Sequence, residues 1–407
     1  MAARCRFPSI RPKVNAHIHL PPNFSAFESV QQAVELASVQ GIGVLGASNY
    51  YDFSVYADLA AEAHRRRIFP LFGLEIIALL KELAAAGVLI NDPGNPGKMY
   101  ICGKGIIRFG PMTPVAQELM SLIRRNDEAR MRRMVQQTEA IFAASGVRTG
   151  LTADEITDRI VRRHGVDKEA VCLQERHIAQ SFQEALFELC PQGKRIEKLT
   201  SVFGIQPKAA PDNHVKVQNE IRTHLMKMGK PAFIPESFVN FSEAYRLILE
   251  LGGIPCYPTL ADGTWPICAY EDPPEKLVEV LLTNKVYCAE FIPIRNKPEM
   301  LERYVRVVRA AGLVITGGTE HNTPDLIPLE PTCIGGAPVP EAIREIFWEG
   351  ACIVAAHQFL RLHGRCGYVD DAGELNPAFD DRERRIEHFR RLGAAVIERY
   401  YEQPSYS

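Results

Sequence analysis

A chain of 407 residues with 46% hydrophobic and 24% charged side chains has the make-up of a folded protein, and its length asks for one large domain with an insertion or for two domains. A net charge of -2 provides no global field to attract a nucleic acid or an anionic membrane, and no apolar run approaches the length that spans a bilayer. The ten cysteines are scattered without a Cys-x-x-Cys pair, which excludes a zinc ribbon and a disulfide framework and fits a reducing, cytoplasmic location.

Met1 to Arg6 lacks the apolar core of a signal peptide. Val14-Asn15-Ala16-His17-Ile18-His19-Leu20 then reads as a strand stopped by Pro21-Pro22. Alternate side chains of a strand share a face, so His17 and His19 project together near its C-terminal end, as half of a metal site would. On its own such a pair also fits a surface strand or a hydrogen-bonded core position. Ser29 to Gln40 reads as a helix, Ile42 to Ser48 as a buried strand, Val55 to Arg67 as a helix, and Ile68 to Ile76 as a third strand carrying Glu75. Strand–helix alternation of this kind implies a parallel α/β sheet or barrel, whose chemistry gathers at the C-terminal ends of the strands. His17, His19, Ser48-Asn49-Tyr50 and Glu75 fall there.

The turn cluster Asn91 to Gly97 leads into a strand around Met99 to Cys102. Between Pro114 and Met228 the pattern becomes helical and rich in Arg and Glu, and Thr152 to Glu155 resembles a capping box. Alternation resumes after Pro235, with strands at Ile254 to Pro258, Val286 to Phe291 and Leu313 to Ile315, the last running into Gly317-Gly318-Thr319-Glu320-His321. From Pro340 the chain reads as helices packed on the outside. The domain division is therefore 1–111 as the first part of a barrel, 112–234 as a helical insertion, and 235–407 as the second part with the C-terminal helices. If the sheet closes, first and last strands become neighbours and bring Glu320 and His321 beside His17 and His19, with Glu75 able to bridge.

This order of motifs resembles the PHP (polymerase and histidinol phosphatase) superfamily over residues 14 to 110 and 235 to 325. Val14 to His19 is similar to its opening His-x-His motif, Ile42 to Asp52 to the strand ending in Thr-Asp-His, and Phe72 to Glu75 to the motif with the bridging glutamate. Gly252 to Pro258 resembles the strand ending in Ala-His-Pro, and Gly317 to His321 the final Gly-Ser-Asp-x-His. The resemblance implies a distorted (β/α)7 barrel with a helical insertion, and a metal-dependent hydrolase acting on a phosphoester or other small anionic substrate through a metal-activated water. Tyr50, Tyr100 and Tyr257 stand where the family has histidines, and Thr319 where it has an aspartate. A reduced site of one or two metals follows, with His17, His19, Glu75 and His321 as metal ligands and Glu320, Tyr50, Tyr100 and Tyr257 as catalytic groups. The divalent metal implied is Zn2+ or Mn2+, with Fe2+ as a further option. A phenol is a poor ligand near neutral pH but a good donor to an oxyanion. The partners implied are a small anionic molecule and, as a further option, a second copy of the chain; neither a membrane nor a nucleic acid is expected. The alternative is a catalytically inactive barrel that binds a ligand or a protein.

Other groups read as structural. Arg124-Arg125, Arg130, Arg132-Arg133 and Arg162-Arg163, diluted by Asp127, Glu128, Asp154 and Glu155, are expected to form a solvated helix face; attraction of a phosphate-bearing substrate is the less favoured reading. Contact of Lys98 and Lys104 with an anionic substrate is likewise the less favoured reading. Cys256 and Cys268 are expected to be buried as small hydrophobes.

Overall fold

The computed structural model describes residues 11–403, so Met1 to Arg6 lie outside the described residues. The chain runs β1 (Lys13–Ile18), α1 (Val30–Val39), β2 (Ile42–Ala47), α2 (Tyr56–Arg65), β3 (Phe69–Leu79), α3 (Lys81–Ala85) and β4 (Lys98–Lys104). A helical segment follows: α4 (Pro114–Ala144), α5 (Ala153–His164), α6 (Glu175–Leu189), α7 (Gln192–Phe203) and α8 (His214–Ile221), which ends in a π-helical turn over Arg222–Met226. Then come α9 (Phe241–Glu250), β5 (Ile254–Thr259), α10 (Pro274–Thr283), β6 (Cys288–Phe291), α11 (Pro298–Ala310), β7 (Val314–Gly317), α12 (Glu341–Leu362) and α13 (Arg382–Tyr401). Local chemistry sets many of these boundaries. The Ser29 and Thr152 side chains accept the amides of Gln32 and Glu155 as N-caps of α1 and α5, and Asn240 with Glu243 forms a capping box on α9.

The seven strands form one sheet in the order β1 to β7. All neighbours pair in parallel except β4, which is antiparallel to both β3 and β5. The five-residue α3 and the turn cluster return the chain alongside β3, where a full crossover helix would have carried it over the sheet. The sheet nearly closes. Ile18 bridges Glu320, the His19 amide donates to Glu320 O at 2.8 Å, and the Glu320 amide donates to His17 O at 2.9 Å.

Two apolar layers lie on either side of this sheet. Ile18, Leu45, Leu74, Ile76, Tyr257, Ala289, Phe291 and Ile315 point outward and pack under the surrounding helices. Ala16, Val44, Leu71, Cys102, Cys256, Cys288 and Val314 point inward and meet α12. The expectation that helices after Pro340 only pack outside is therefore corrected: α12 is apolar all round its middle and fills the base of the barrel. The approach is close enough that a Cβ on Gly350 would stand 1.8 Å from Ile315 O. Residues from Met131 to Ile234 enclose a hydrophobic core of their own.

Candidate metal centre

β1 carries an irregularity between Asn15 and Ile18, after which His17 and His19 face the interior. Their Nε2 atoms are 3.3 Å apart, and Glu75 Oε2, from β3, lies 3.1 Å from His19 Nε2 and 3.6 Å from His17 Nε2. Three ligands of a tetrahedral ion with bonds of about 2.0–2.1 Å stand about 3.3–3.4 Å from one another. The three donor atoms thus already have the spacing of a metal triad. Glu75 Oε2 is buried and satisfied by no hydrogen bond in spite of its two imidazole neighbours. The donor set of two imidazoles and one carboxylate, with an open side, suits zinc, manganese or iron.

His17 is braced from behind. Its Nδ1 lies 2.6 Å from Glu290 Oε2, while the other oxygen of Glu290 accepts from Lys104 Nζ at 2.6 Å and from Thr316 at 3.3 Å. A proton held on Nδ1 leaves the lone pair of Nε2 aimed at Glu75, as in the carboxylate–histidine pairs behind metal ligands. Burial disfavours a charged His17, but the Glu290 carboxylate outweighs it and raises the ring well above its ordinary pKa. Burial also opposes ionisation of Glu75, yet contacts with His17 and His19 hold its carboxyl far below the usual range. Binding of a cation would accordingly release a proton.

The remaining candidates divide. Tyr50 stacks on His19 at 5.1 Å with 7° between the rings and sits beside Glu75 through a backbone bridge; burial pushes its phenol well above 10. Tyr100 lines the same cavity, with Lys98 Nζ 5.2 Å from its ring centre, and burial lifts it to about 12 against the pull of Lys98. Glu320 faces the cavity and is bound by Arg295 and by Asn322 at 2.7 Å. Glu320 and His321 both take left-handed backbone angles, at φ 62 and 50, in the turn beyond the β1–β7 seam.

Two residues depart from expectation. Tyr257 pairs with Ala289 on the outward face of the sheet and gives its hydroxyl to Glu271 at 3.0 Å, so strand parity removes it from the interior. His321 has both ring nitrogens engaged, with Thr319 Oγ1 at 2.7 Å and Ile327 O at 2.9 Å, and stacks on Phe27. Neither joins the triad.

Above the triad lies a cavity of about 400 Å3, within the range of small-molecule sites. Its floor includes Tyr50, Glu75, Tyr100, Arg295 and Glu320 from the barrel rim. Its roof comes from the helical segment, through Arg130, Gln174, Arg176, Arg222 and Lys227. Arg130, expected on a solvated face, is buried and holds Glu175 and Glu236, each at 3.2 Å. Lys104 is buried on Glu290 and does not line the cavity. Cys256 and Cys268 are buried, as small hydrophobes are.

Sequence reasoning missed Glu290 and Arg295, although an acid inside the short apolar strand Cys288–Phe291 is itself a signal of a paired interior charge. Arg176 and Arg222 carry no such signal, because only tertiary packing of the helical segment brings them over the barrel.

No protein-family model and no curated protein matches the sequence. Among solved structures, an amidohydrolase from Chromobacterium violaceum, described with bound sulfate and no metal, is similar with a TM-score of 0.54 and 16% identity over 82% of this chain and 95% of its own. A protein from Bifidobacterium adolescentis described as a metal-dependent phosphoesterase is similar with a TM-score of 0.55 and 15% identity, over 83% of this chain and 96% of its own. At these identities the likeness establishes a shared fold, a seven-stranded barrel-like sheet with surrounding helices, that also serves metal-dependent hydrolases. No described helix is long and apolar enough to cross a membrane.

Proposed function

We propose that this chain is a metal-dependent hydrolase of the PHP type, with residues 112–234 inserted over a barrel made of 1–111 and 235–407. His17, His19 and Glu75 would hold one divalent cation, and a small anionic substrate would occupy the cavity above it. The observation that carries the reading is the convergence of two imidazole nitrogens and one carboxylate oxygen at 3.1–3.6 Å, with Glu290 bracing His17. The fold shared with a protein described as a metal-dependent phosphoesterase, and with an amidohydrolase described with bound sulfate, supports the same class.

A bound cation supplies a Lewis acid that polarises a phosphoryl or carbonyl oxygen and eases deprotonation of water. The chain's own groups do the rest. Tyr50 holds the orientation of His19 by stacking, and its backbone bridge to Glu75 keeps the two strand ends together. Tyr50 and Tyr100 stay protonated because burial raises both phenols, so each can donate to an oxyanion at the floor. Arg295, tethered to Glu320, adds a guanidinium facing the same space. The roof covers the cavity, and a substrate that displaces water beneath it would strengthen these charge interactions. A phosphoester is the favoured substrate; a carbon–nitrogen bond in an anionic molecule fits a three-donor site as well.

Elemental analysis of protein purified without chelator tests the reading. Wild type is expected to carry close to one equivalent of zinc, manganese or iron after loading, and the His17→Ala/His19→Ala variant none. A wild-type content below about a tenth of an equivalent after loading would overturn the metal assignment and favour a ligand-binding barrel. Retention of metal by the double variant would refute the ligand set.

A further inference from the structure

The roof of the cavity holds cations that the protein does not neutralise. Arg176, in the first turn of α6, lines the cavity and makes no ion pair or hydrogen bond among the described residues. Arg222, the first residue of the π-helical turn, has a buried Nε without a partner. Its ion pair, to Glu175 at 3.6 Å, is shared: the same carboxylate serves Lys227 at 3.0 Å and Arg130 at 3.2 Å. With Glu236 also 3.2 Å from Arg130, two carboxylates face these three cations, beside a fourth with none, which leaves a surplus of positive charge on the roof.

The direction of that charge is also informative. Burial pulls Arg176 down to about 10 and Arg222 adds to the fall, while Glu320, Tyr50 and Tyr100 act the other way. The last three belong to the floor, so the guanidinium acts across the cavity toward the candidate metal triad. An unpaired guanidinium at a half-buried position is retained at a cost to stability. Its planar fork matches the oxygens of a phosphate or a carboxylate, and the N-terminal end of α6 adds positive character beside it. Single π-helical turns such as Arg222–Met226 recur at functional sites.

We propose that Arg176 and Arg222 form an anion-recognition subsite on the roof, which takes a phosphate or carboxylate group at the end of the substrate remote from the bond cleaved. This rests on the reading that substrate lies between the roof and the His17, His19 and Glu75 floor. The substrate class is then a small molecule with an oxyanion at its distal end, and the helical segment decides which molecules are accepted.

The test uses the full chain, stripped of metal by chelator and titrated calorimetrically with inorganic phosphate and, separately, with succinate. One of the two anions is expected to bind, and which one does so separates a phosphate from a carboxylate subsite. Arg176→Met and Arg222→Met should each weaken that binding at least about tenfold. Binding should persist in the His17→Ala/His19→Ala variant. It should also persist in Arg132→Met, which removes an exposed arginine of the same segment held by Asp154 at 3.0 Å. Should a methionine variant unfold, Arg176→Lys and Arg222→Lys keep the charge without the fork and are expected to retain only part of the affinity. The subsite is refuted if neither anion binds, if binding survives loss of both arginines, or if it disappears with the histidines alone. Because no metal is present, anion binding by a protein that takes up no zinc would sink the metal assignment and leave the roof subsite standing.

Discussion

Glutamine in place of Glu290 preserves the shape of the side chain and removes a charge on which two neighbours depend. His17 Nδ1 and Lys104 Nζ each lie 2.6 Å from one of its oxygens, the short distances of charge-assisted hydrogen bonds. Burial would raise the carboxyl, but His17 and Lys104 pull it down to about 2, so it is ionised at any working pH. The first loss is in metal affinity. Without the carboxylate the Nδ1 proton and the aim of Nε2 are no longer held, and removing such a partner costs about 10- to 100-fold, or about 1.4–2.7 kcal/mol. The second loss is in stability. Lys104, only 3% exposed, would keep neutral acceptors alone, the new amide oxygen with Ala16 O and Ser48 Oγ at 3.3 Å, and an uncompensated buried charge costs about 3–5 kcal/mol. The double variant Glu290→Gln/Lys104→Met separates the two, since it removes the orphaned cation but not the defect at His17. Its melting temperature should recover while its zinc affinity stays low. Competition with a chromophoric chelator near neutral pH reads the affinity, and thermal unfolding of the metal-free protein reads the stability. Wild-type zinc affinity in the single variant, or affinity that returns together with stability in the double, would refute the reasoning.

Tyr257→Phe removes a phenol that faces Glu271 outside the cavity; zinc affinity should be unchanged and stability should fall by about 1 kcal/mol, and a tenfold loss of zinc affinity would return Tyr257 to the site. Burial lifts Glu271 to about 7 against the Leu260 and Ala261 amides and the Tyr257 phenol, so the folded state binds this proton more tightly than the unfolded chain does. The resulting stability is fully present below the unfolded value of 4.5 and lost as pH rises through about 7. That is worth up to about 3 kcal/mol, and chemical denaturation from pH 4.5 to 8 should show a slope that Glu271→Gln flattens. Gly350→Ala forces a methyl group into Ile315 O and should cost about 3 kcal/mol or more by denaturant titration; a neutral outcome would contradict the close packing of α12 on β7.

How much could be read in advance follows from the reach of each signal. Period-two alternation and buried apolar runs marked all seven strands, and Ser29 and Thr152 announced their helices, because these are properties of neighbours in sequence. His17, His19 and Glu75 were legible for the same reason: each stands near a strand end, and parallel strands gather their ends. Parity is less forgiving. Tyr257 sits one residue away from the inward-facing Cys256 and Pro258, and that single step moves its side chain to the opposite layer. His321 lies beyond β7 in a left-handed turn, where strand alternation no longer governs direction. The antiparallel course of β4 was hidden because hydropathy does not encode strand direction. Arg176, Arg222 and the buried place of Arg130 depend on how the helical segment docks, and in sequence they read as members of a solvated charge pattern.

The filling of the barrel by α12 also bears on how the molecule is made. The eighteen elements from β1 to β7 leave the ribosome before the helix that fills their interior base has been synthesised. A nascent chain ending near Val339 has the whole sheet but lacks Trp348 and the Ala351–Ala356 face on which Ala16, Val44, Leu71, Cys256 and Val314 pack. The inner ends of those strands then stand around a void or around water, and cavities of that size are costly. Completion of this fold is thus a late event in synthesis, and shortening the C-terminus strikes at the barrel itself before it reaches the candidate metal triad at the other end of the same strands.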